Sequence, residues 1–344
     1  MPSPAPLNIA LVGYGYVGKT FHAPLIAATP GLALHTVVSS DPARVAADFP
    51  EARVLDLAAA LADPAIDLVV IATPDALHAP QAHAALEAGK HLVVDKPFTL
   101  TLDEAQAVAD HAALVGRSVS VFHNRRWDSD FLTLRALIDR GHLGEVIQYE
   151  SHFDRFRPRV RDRWREKPGA GVLLDLGPHL IDQALVLFGP PQAVYADIAV
   201  QKDGGAVGDY FHLLLRYPRL RVILHASQMT QATNLRLAVH GTGGSFIKSG
   251  LDVQESQLKA GLRPGARGYG DDPRPGVLIQ LEDDEPVSTA VQPLPADYRA
   301  FYAGVRDMLL TGAPSPVPLD QALRVMAVID AAQRSAAEGR EVAV

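Results

Sequence analysis

A glycine-rich turn near the start of the chain constrains its fold more than any other feature. The apolar run Asn8–Val12 leads directly into Gly13-Tyr-Gly15-Tyr-Val-Gly18, and a stretch with helical spacing follows. Glycines at these spacings permit a tight turn, close approach of the backbone to a pyrophosphate, and close packing of helix on strand. The helix N-terminus adds free N–H groups and the positive end of a dipole. The pattern predicts a dinucleotide-binding turn, against the alternative of a glycine-rich turn without a ligand.

The first third of the chain alternates between apolar runs and alanine-rich stretches with helical spacing. Such alternation with short connections predicts a parallel sheet that is covered by helices on both faces. The runs are almost continuously apolar, as strands buried on both faces are. The predicted strands are Asn8–Val12, Leu34–Ser39, Leu68–Ala72, His91–Val94 and Ser118–Phe122, and the clearest helices are Ala76–Ala88 and Leu102–Leu114.

The pattern changes after about residue 123. Alternating segments separated by turn signals predict a mostly antiparallel sheet in the second part of the chain. We therefore predict an α/β protein with a dinucleotide-binding domain over residues 1–123 and a substrate-binding and oligomerisation domain over residues 124–344. A loop is predicted over residues 261–276. The predicted helices are 131–140, 172–188, 296–310 and 319–337, and the predicted strands begin near Gly144 and cover 192–200, 210–217, 221–228, 235–240 and 277–281.

Composition and charge exclude several classes of protein. The 344 residues carry a formal net charge of −7 and include no cysteine. An acidic chain is a poor match for nucleic acid, and the lack of cysteine excludes disulfides, thiol catalysis and cysteine metal sites. No His-x-x-x-His or His-Glu-x-x-His spacing occurs, so no metal site is predicted. No run approaches the roughly 20 apolar residues of a membrane span, and no signal peptide is recognisable, so we expect a cytoplasmic protein.

The end of the second strand bears on the choice between NAD and NADP. An acidic residue there would accept a hydrogen bond from the ribose 2′-hydroxyl of NAD. This chain has Ser39-Ser40-Asp41-Pro42-Ala43-Arg44, and we interpret Asp41 as a helix N-cap with proline at the next position. The two serines and the Arg44 guanidinium then suit a 2′-phosphate. NADP is the preferred prediction, and NAD stays possible.

Three further residues point to catalysis. Lys96 ends an apolar strand, and ligands of such sheets bind beyond the carboxyl ends of the strands. Asp175 and His179 lie one turn apart in a strongly apolar helix, where a carboxylate can orient an imidazole and tune its basicity near neutral pH. The alternative for this pair is structural: Asp175 as a helix cap before Gly177-Pro178, and His179 as a satisfied core residue.

Taken together, these motifs resemble the Gfo/Idh/MocA oxidoreductase family over nearly the whole chain. The resemblance depends on Gly13-x-Gly15-x-x-Gly18, Thr73-Pro74-x-x-x-His78, Asp95-Lys96-Pro97 and Asp175-x-Gly177-x-His179. It is greatest to the NADP-dependent scyllo-inositol dehydrogenase branch, through Phe21-His-Ala-Pro24, the segments 120–128 and 150–158, Arg163-Trp-Arg-Glu166 and Asp209-Tyr-Phe211. The chain has Asp95 where the family usually has glutamate, and Asp75 where it usually has asparagine.

The resemblance implies a Rossmann domain, an open antiparallel sheet that forms the contact of a homodimer or homotetramer, and a small polyol or sugar as substrate. It implies that Lys96 hydrogen-bonds this substrate, and that Asp175 and His179 complete the catalytic group. Arg126, Phe153, Asp154 and Tyr210 are proposed substrate contacts. The cofactor residues that it implies are Gly13, Gly15, Tyr16, Val17, Gly18, Ser39, Ser40, Arg44, Thr73, Pro74, His78, Asp95, Asn124, Trp164 and Arg165.

The hypothesis is reversible hydride transfer between a sugar or cyclitol carbon and the nicotinamide, with His179 as general base and Lys96 stabilising the oxyanion. Two other functions stay open on the same fold: a non-catalytic NADP-sensing regulator, and glycoside cleavage with tightly bound NAD.

The alternating arginines from Arg155 to Arg165 permit three interpretations. They could form a nucleic-acid patch, which the acidic whole disfavours, a solvated loop, or a cover over the cofactor.

Overall fold

The computed structural model describes residues 5–231 and 235–344. They form two compact units. The first contains the described residues up to Asn124 together with Gln254–Tyr269 and Asp297–Leu323. The second contains the described residues of Arg125–Val253, Gly270–Ala296 and Arg324–Val344. The first unit is therefore built from three separate stretches of the chain.

The first unit contains a parallel sheet whose strands were nearly all expected. Within the described residues it has six strands in the order β3-β2-β1-β4-β5-β6, which confirms the parallel fold predicted from the alternation. The strand β3 was not predicted because it is short and poorly buried. The strands are β1 (Leu7–Val12), β2 (Leu32–Val38), β3 (Arg53–Leu55), β4 (Leu68–Ile71), β5 (His91–Val94) and β6 (Val119–Val121).

Helices connect these strands, and two later helices belong to the same unit. The glycine turn continues into a π-helical turn, Gly18–His22, and then into α1. Short 3₁₀ turns cover Asp75–Leu77 and Asn124–Trp127. The helices of this unit are α1 (Ala23–Ala27), α2 (Pro42–Asp48), α3 (Leu57–Ala62), α4 (His78–Glu87), α5 (Leu102–Val115), α8 (Gln254–Lys259) and α9 (Arg299–Thr311).

The second unit contains a larger, mostly antiparallel sheet, as the sequence predicts. Its described strands follow the order β14-β13-β12-β11-β7-β10-β9-β8-β15, and β7 and β10 pair in parallel while the other pairs are antiparallel. The strands are β7 (Val146–His152), β8 (Ala193–Ala199), β9 (Tyr210–Arg216), β10 (Arg221–Ser227), β11 (Leu235–Gly241), β12 (Ser245–Ser249), β13 (Gly276–Glu282), β14 (Glu285–Val291) and β15 (Val342–Ala343).

Three strands of this sheet, β12, β14 and the two-residue β15, were missed from the sequence. In β12 the inward Lys248 is buried against Asp272, with 2.9 Å between Nζ and Oδ2, so a charge replaces an expected apolar residue. Strand β14 is mostly exposed and has no apolar stripe.

The other helices are α6 (Ser129–Asp139), α7 (Val172–Phe188) and α10 (Leu319–Glu338), and a 3₁₀ turn covers Trp164–Glu166.

The sheet of the second unit has two different faces at its centre. Helix α7 packs against β9 and β10, where Phe211, Leu213 and Leu224 are fully buried. The alternate residues of these strands point to the opposite face because successive strand side chains alternate. That face, which includes His212 and His225, is only half-buried. No helix among the described residues meets the length and hydropathy required to cross a membrane.

Candidate active site

The glycine turn has the backbone geometry that its spacing predicts. Gly13 has a φ of +100°, and a Cβ there would lie 2.6 Å from the carbonyl oxygen of Ala72 on the neighbouring strand β4. A Cβ on Gly18 would lie 2.1 Å from the carbonyl oxygen of Gly13, so the third glycine permits the helix to approach the strand. A Cβ on Gly15 would meet nothing within 4 Å. The middle glycine therefore presents bare backbone to open space.

A cavity of about 320 Å³ opens beside this turn, within the first unit. It brings together six of the predicted cofactor residues: Gly13, Gly15, Ser39, Ser40, Arg44 and Thr73. It is also lined by Tyr14, Asp41 and Gln81. Bare glycine backbone fits the pyrophosphate of a dinucleotide, and hydroxyls with a guanidinium fit its ribose. The residues present therefore suit the nicotinamide cofactor that the sequence predicts.

Arg44 is held at this cavity by its neighbours. Asp41 caps helix α2, since its Oδ1 accepts a hydrogen bond of 3.1 Å from the Arg44 backbone N–H, which confirms the N-cap interpretation. The Arg44 guanidinium lies over the Tyr14 ring, 6.0 Å from its centroid. The Tyr14 hydroxyl donates to Asp48 at 2.9 Å, and Lys19 forms an ion pair of 2.7 Å with the same carboxylate. Burial and the hydrogen bond to Asp48 raise the pKa of Tyr14, so its hydroxyl stays protonated.

Sequence reasoning missed Tyr14 and Gln81. Tyr14 occupies a variable position of the glycine motif, where no residue type is demanded. Gln81 lies in helix α4 and accepts a hydrogen bond of 2.7 Å from the Thr73 hydroxyl. Its position eight residues after Thr73 gave no signal by itself.

Other predicted cofactor residues lie outside the lining of this cavity. The Tyr16 hydroxyl donates to Glu255 of helix α8 at 2.9 Å, and the Lys259 ammonium lies 5.4 Å from its ring centroid. Val17 directly precedes the π-helical turn. These contacts place Tyr16 in packing between α8 and the glycine turn. Their roles toward the cofactor stay predictions.

The ends of β4 and β5 are joined by the imidazole of His78. Its Nδ1 lies 2.9 Å from the carbonyl oxygen of Pro97, and its Nε2 lies 3.0 Å from that of Thr73. The ring is fully buried. His78 therefore fixes the segments that carry Pro74 and Lys96, a structural contribution beside its predicted role at the cofactor.

Asp95 and Lys96 are both buried after strand β5, with Lys96 8% exposed. An Asp95 oxygen lies 3.7 Å from His22 Nε2, and His22 Nδ1 lies 2.5 Å from the Tyr302 hydroxyl of α9. Burial raises the pKa of Asp95, but His22 and Lys96 outweigh it and hold this pKa below its usual value. Asp95 is thus a buried anion beside the predicted catalytic lysine. Asn124 is also buried, in the 3₁₀ turn that follows β6.

In the second unit, Asp175 and His179 lie in helix α7 as predicted, but the structural alternative for Asp175 is wrong. The helix begins at Val172 with Gly171 as its N-cap, and Pro178 lies inside it. Asp175 therefore sits in the first turn and is not the N-cap residue. Its Oδ1 lies 3.4 Å from Arg165 Nε. The Arg165 guanidinium in turn lies over the Trp164 ring, 4.4 Å from its centroid, so the predicted Trp-Arg pair contacts the predicted catalytic carboxylate.

His179 is 7% exposed and packs against an aromatic neighbour. Its ring is nearly parallel to that of Phe153, with 6.4 Å between centroids. The guanidinium of Arg125 lies 4.7 Å, and that of Arg155 4.8 Å, from the centroid of the same Phe153 ring. Phe153 is 1% exposed. This residue, predicted as a substrate contact, is a packing partner of the predicted general base.

The remaining predicted substrate residues have strong protein partners. Arg126 forms a bidentate ion pair with Asp182 of α7, with N–O distances of 2.9 and 2.6 Å. Asp154 is buried beside two histidines. Tyr210 packs its edge on His225, with 5.2 Å between centroids. Sequence reasoning missed Asp182, although its position three residues after His179 places it on a neighbouring part of the same helix.

The arginine-rich stretch combines paired and exposed side chains. Glu166 accepts a hydrogen bond of 2.9 Å from Arg163 Nε and lies 3.7 Å from Lys202 Nζ. Arg155 and Arg165 have the aromatic contacts given above. Arg159 and Arg161 are exposed. The stretch is therefore more ordered by contacts than a solvated loop, and its role over a cofactor stays a prediction.

Comparisons with known proteins identify the class. Residues 7–123 match the family model of the oxidoreductase family with an NAD-binding Rossmann fold, and residues 135–344 match that of the family's C-terminal α/β domain. The chain belongs to the Gfo/Idh/MocA oxidoreductase family, as its motifs predicted.

Individual relatives cover almost the whole chain. The uncharacterized oxidoreductase YdgJ of Escherichia coli is 51% identical over 333 residues, or 96% of each chain. The NADP(+)-dependent scyllo-inositol 2-dehydrogenase IolW of Bacillus subtilis is 37% identical over 341 residues, or 98% of this chain and 95% of the relative. The structure of a Yersinia pestis protein matches with a TM-score of 0.96 and 48% identity, covering 99% of this chain and 97% of the other.

Proposed function

We propose that this oxidoreductase is an NADP-preferring dehydrogenase that acts on the CH–OH group of a small sugar or cyclitol, as scyllo-inositol dehydrogenases do. The observation that carries the proposal is the cavity beside the glycine turn, which is lined by Arg44, Ser39 and Ser40 together with Gly13 and Gly15. A guanidinium and two hydroxyls suit a ribose 2′-phosphate. The name of the relative IolW, which is NADP-dependent, supports the same choice.

The nicotinamide, when bound, supplies the acceptor or donor of a hydride. The residues of this chain hold the cofactor and move the proton. Gly13, Gly15 and Gly18 form the pyrophosphate turn, and Arg44 neutralises the 2′-phosphate. Thr73, held by Gln81, lines the same cavity.

His179 is the proposed general base, which takes the proton of the substrate hydroxyl through an imidazole nitrogen. Asp175, one turn earlier on α7, is the proposed orienting carboxylate, and its Oδ1 lies 3.4 Å from Arg165 Nε. Lys96 is the proposed fixed charge that stabilises the developing oxyanion.

A substrate panel tests the proposal. Purified protein would be incubated with NADP⁺ or NAD⁺ and scyllo-inositol, myo-inositol, aldoses or 1,5-anhydro sugars, and the reduced cofactor would be followed by absorbance. We expect turnover of at least one cyclitol or sugar with a higher kcat/KM for NADP⁺. Tight NADP binding without turnover of any panel member would instead favour the NADP-sensing regulator.

Two properties belong to the same proposal. We propose a cytoplasmic location and a homodimer or homotetramer that assembles through the sheet of the second unit. Light scattering of the purified protein would give the assembly, and a monomer at micromolar concentration would contradict it.

A further inference from the structure

Two strands of the second sheet bring a cluster of metal-ligating side chains together. His152 ends β7, His225 lies in β10, and these two strands pair in parallel with His225 opposite His152. Asp154 follows β7 by two residues. One ligating atom from each of the three residues lies within 4.8 Å of the other two. The cluster does not include any of the proposed catalytic residues, and it takes in residues from two distant parts of the chain.

The distances from the two imidazoles to the Asp154 carboxylate are close to those between ligands of one metal ion. His152 Nδ1 lies 3.1 Å from Asp154 Oδ2, and His225 Nε2 lies 3.4 Å from Asp154 Oδ1. Zinc binds imidazole nitrogen and carboxylate oxygen at about 2.0–2.2 Å, so two tetrahedral ligands stand about 3.3 Å apart. The carboxylate of Asp154 therefore already has both imidazoles at ligand-to-ligand distance.

Neighbouring groups orient two of the three ligands. Glu150 Oε1 lies 2.7 Å from Nε2 of His152, on the ring nitrogen that faces away from Asp154. A carboxylate on the far nitrogen of a metal-binding imidazole fixes its tautomer and raises its basicity. Asp154 Oδ1 accepts a hydrogen bond of 2.9 Å from the Ser227 backbone N–H, which fixes the rotation of this carboxylate. The cluster thus has the outer layer of contacts that metal sites use.

Charge balance also favours a cation. Two carboxylates, Glu150 and Asp154, contact opposite nitrogens of the single imidazole of His152. A neutral imidazole carries one N–H and can satisfy only one of them. The side chains of His152, Asp154 and His225 are 15%, 8% and 15% exposed, so a cation here would be largely shielded from water.

We propose that His152, Asp154 and His225 bind one divalent transition-metal ion of the Zn²⁺ type. Two imidazoles and one carboxylate are a ligand set that suits zinc, whose fourth position takes water or another ligand. It ties the end of β7 to β10.

The site has a consequence for the residue between two of its ligands. Phe153 lies between His152 and Asp154, and its ring packs against His179. Ligands on both sides of Phe153 would fix its backbone. The metal is therefore a positioning element for the aromatic neighbour of the proposed base, and it does not itself take part in hydride transfer.

Metal titration of the chelator-treated, full-length protein tests the proposal. Zn²⁺ binding would be followed by calorimetry and elemental analysis, and Co²⁺ by its visible absorption. We expect one ion per chain and a rise in Tm of about 3 °C or more on loading. His225→Gln and Asp154→Asn should each weaken binding by about 100-fold or more, and Glu150→Gln by about 10- to 100-fold, since it removes only an outer partner.

Two matched variants control for other histidines. His212→Gln alters the neighbour of His225 on the same face of the sheet, and His111→Gln alters an imidazole pair in which Nδ1 of His83 and Nδ1 of His111 lie 2.8 Å apart. Both variants should bind Zn²⁺ as the unaltered protein does. Circular dichroism and NADP binding would show that each variant is folded, and the conservative Glu150→Gln keeps the test valid if Asp154→Asn does not fold. The proposal is overturned if the unaltered protein binds no metal, or if His225→Gln and Glu150→Gln bind it unchanged.

Discussion

The glycine-turn cavity of the first unit and the surroundings of helix α7 in the second unit are built in opposite ways. The cavity is lined by glycine backbone and hydroxyl side chains, with Arg44 and Tyr14 beside them, near the ends of β1, β2 and β4. Around α7, by contrast, charged side chains pair with one another, as Arg126 does with Asp182 and Asp175 with Arg165. The first region leaves room and hydrogen-bonding capacity for a ligand. The second holds a small number of reactive side chains inside a network of ion pairs and aromatic contacts.

Because of this difference, substitutions in the two regions should have different effects. In the cavity, the proposed binding of the cofactor depends on empty space and on the charge of Arg44. An added methyl group or the loss of this charge should therefore change the affinity for the cofactor without unfolding the protein. Around α7, truncation of one charged side chain leaves its buried partner without a counter-charge. Such a substitution should therefore lower both the stability of the protein and its activity. The following experiments separate these two kinds of dependence.

The largest effect is expected from His179→Ala. We expect kcat to fall by about 10²- to 10⁴-fold, the usual contribution of a general base, while NADP binding is retained. Steady-state kinetics and cofactor titration would measure the two quantities. His240→Ala, whose imidazole contacts the Ser245 hydroxyl at 2.8 Å, is the matched control on a distant strand. Near-normal turnover of the His179 variant would exclude it as the base.

Arg236→Leu should destabilise the second unit strongly. Arg236 is 1% exposed and donates to Asp130 at 2.8 Å, to Ser151 at 2.5 Å and to Gln183 at 2.7 Å. Removing one partner of a buried ion pair costs about 3–5 kcal/mol because the other charge stays buried. Urea denaturation would measure the loss. The control is Arg216→Leu, which removes an exposed ion pair with Glu341 and should lower the free energy of unfolding by less than about 1 kcal/mol. Equal losses in the two variants would show that burial does not decide the effect.

Gly15→Ala and Gly13→Ala should differ in their effect on the Tm. The added methyl of Gly15→Ala meets nothing within 4 Å, so the Tm should hold while NADP binding weakens by about tenfold or more, about 1.4 kcal/mol. Gly13→Ala combines a φ of +100° with a contact of 2.6 Å to Ala72 and should lower the Tm as well. Thermal melts and fluorescence titration would check both. Unchanged affinity in the folded Gly15 variant would argue against a pyrophosphate at this turn.

Arg44→Ala should weaken NADP binding by about 10- to 100-fold, because a hydrogen bond to a charged group contributes about 1.5–3 kcal/mol. NAD binding should barely change, as it has no 2′-phosphate. Ser40→Asp should shift the preference further toward NAD through repulsion of that phosphate. The ratio of kcat/KM for the two cofactors is the measurement, and an equal ratio before and after either change would contradict the assignment of NADP.

The smallest effect is expected from Asp95→Asn. The pKa of Asp95 lies below its usual value of 3.8, so ionised Asp95 contributes stability that is complete above pH 3.8 and is lost as the pH falls through its lower folded value. The free energy of unfolding of the variant should therefore differ from that of the unaltered protein at pH 6, and this difference should shrink as the pH falls below 3.8 through the lower folded pKa. Denaturation at several pH values would test this. If the difference in the free energy of unfolding is the same at every pH, the charge of Asp95 does not contribute to stability.

Much of the first region was predictable because it is local in sequence. The spacing of the glycines, the strand ends and the Asp41 cap each depend on a few consecutive residues. The residues that were missed, Tyr14 and Gln81, act through side chains whose direction depends on neighbours that the motif does not specify. The assignment of Asp175 as a possible cap was wrong because Gly-Pro is not a helix start here: the preceding residues already form the first turn.

The second region was predictable only in part. The apolar character of α7 and the strands of the sheet followed from periodicity. The partners of its charges did not, since Arg236 meets Asp130 and Gln183 from positions 106 and 53 residues away. The same holds for His152 and His225, whose spacing of 73 residues matches no metal motif.

The class of fold, the glycine turn, the alternation of strands and helices, and the residue types available for chemistry can all be predicted from the amino-acid sequence. These properties follow from short-range patterns of size, polarity and backbone freedom. The folded chain was needed to show that residues 254–269 and 297–323 belong to the first unit, which side chains neutralise each buried charge, and that three metal-ligating residues meet on one sheet. Such pairings depend on strand register and helix packing, where residues far apart in the chain compete for the same buried space.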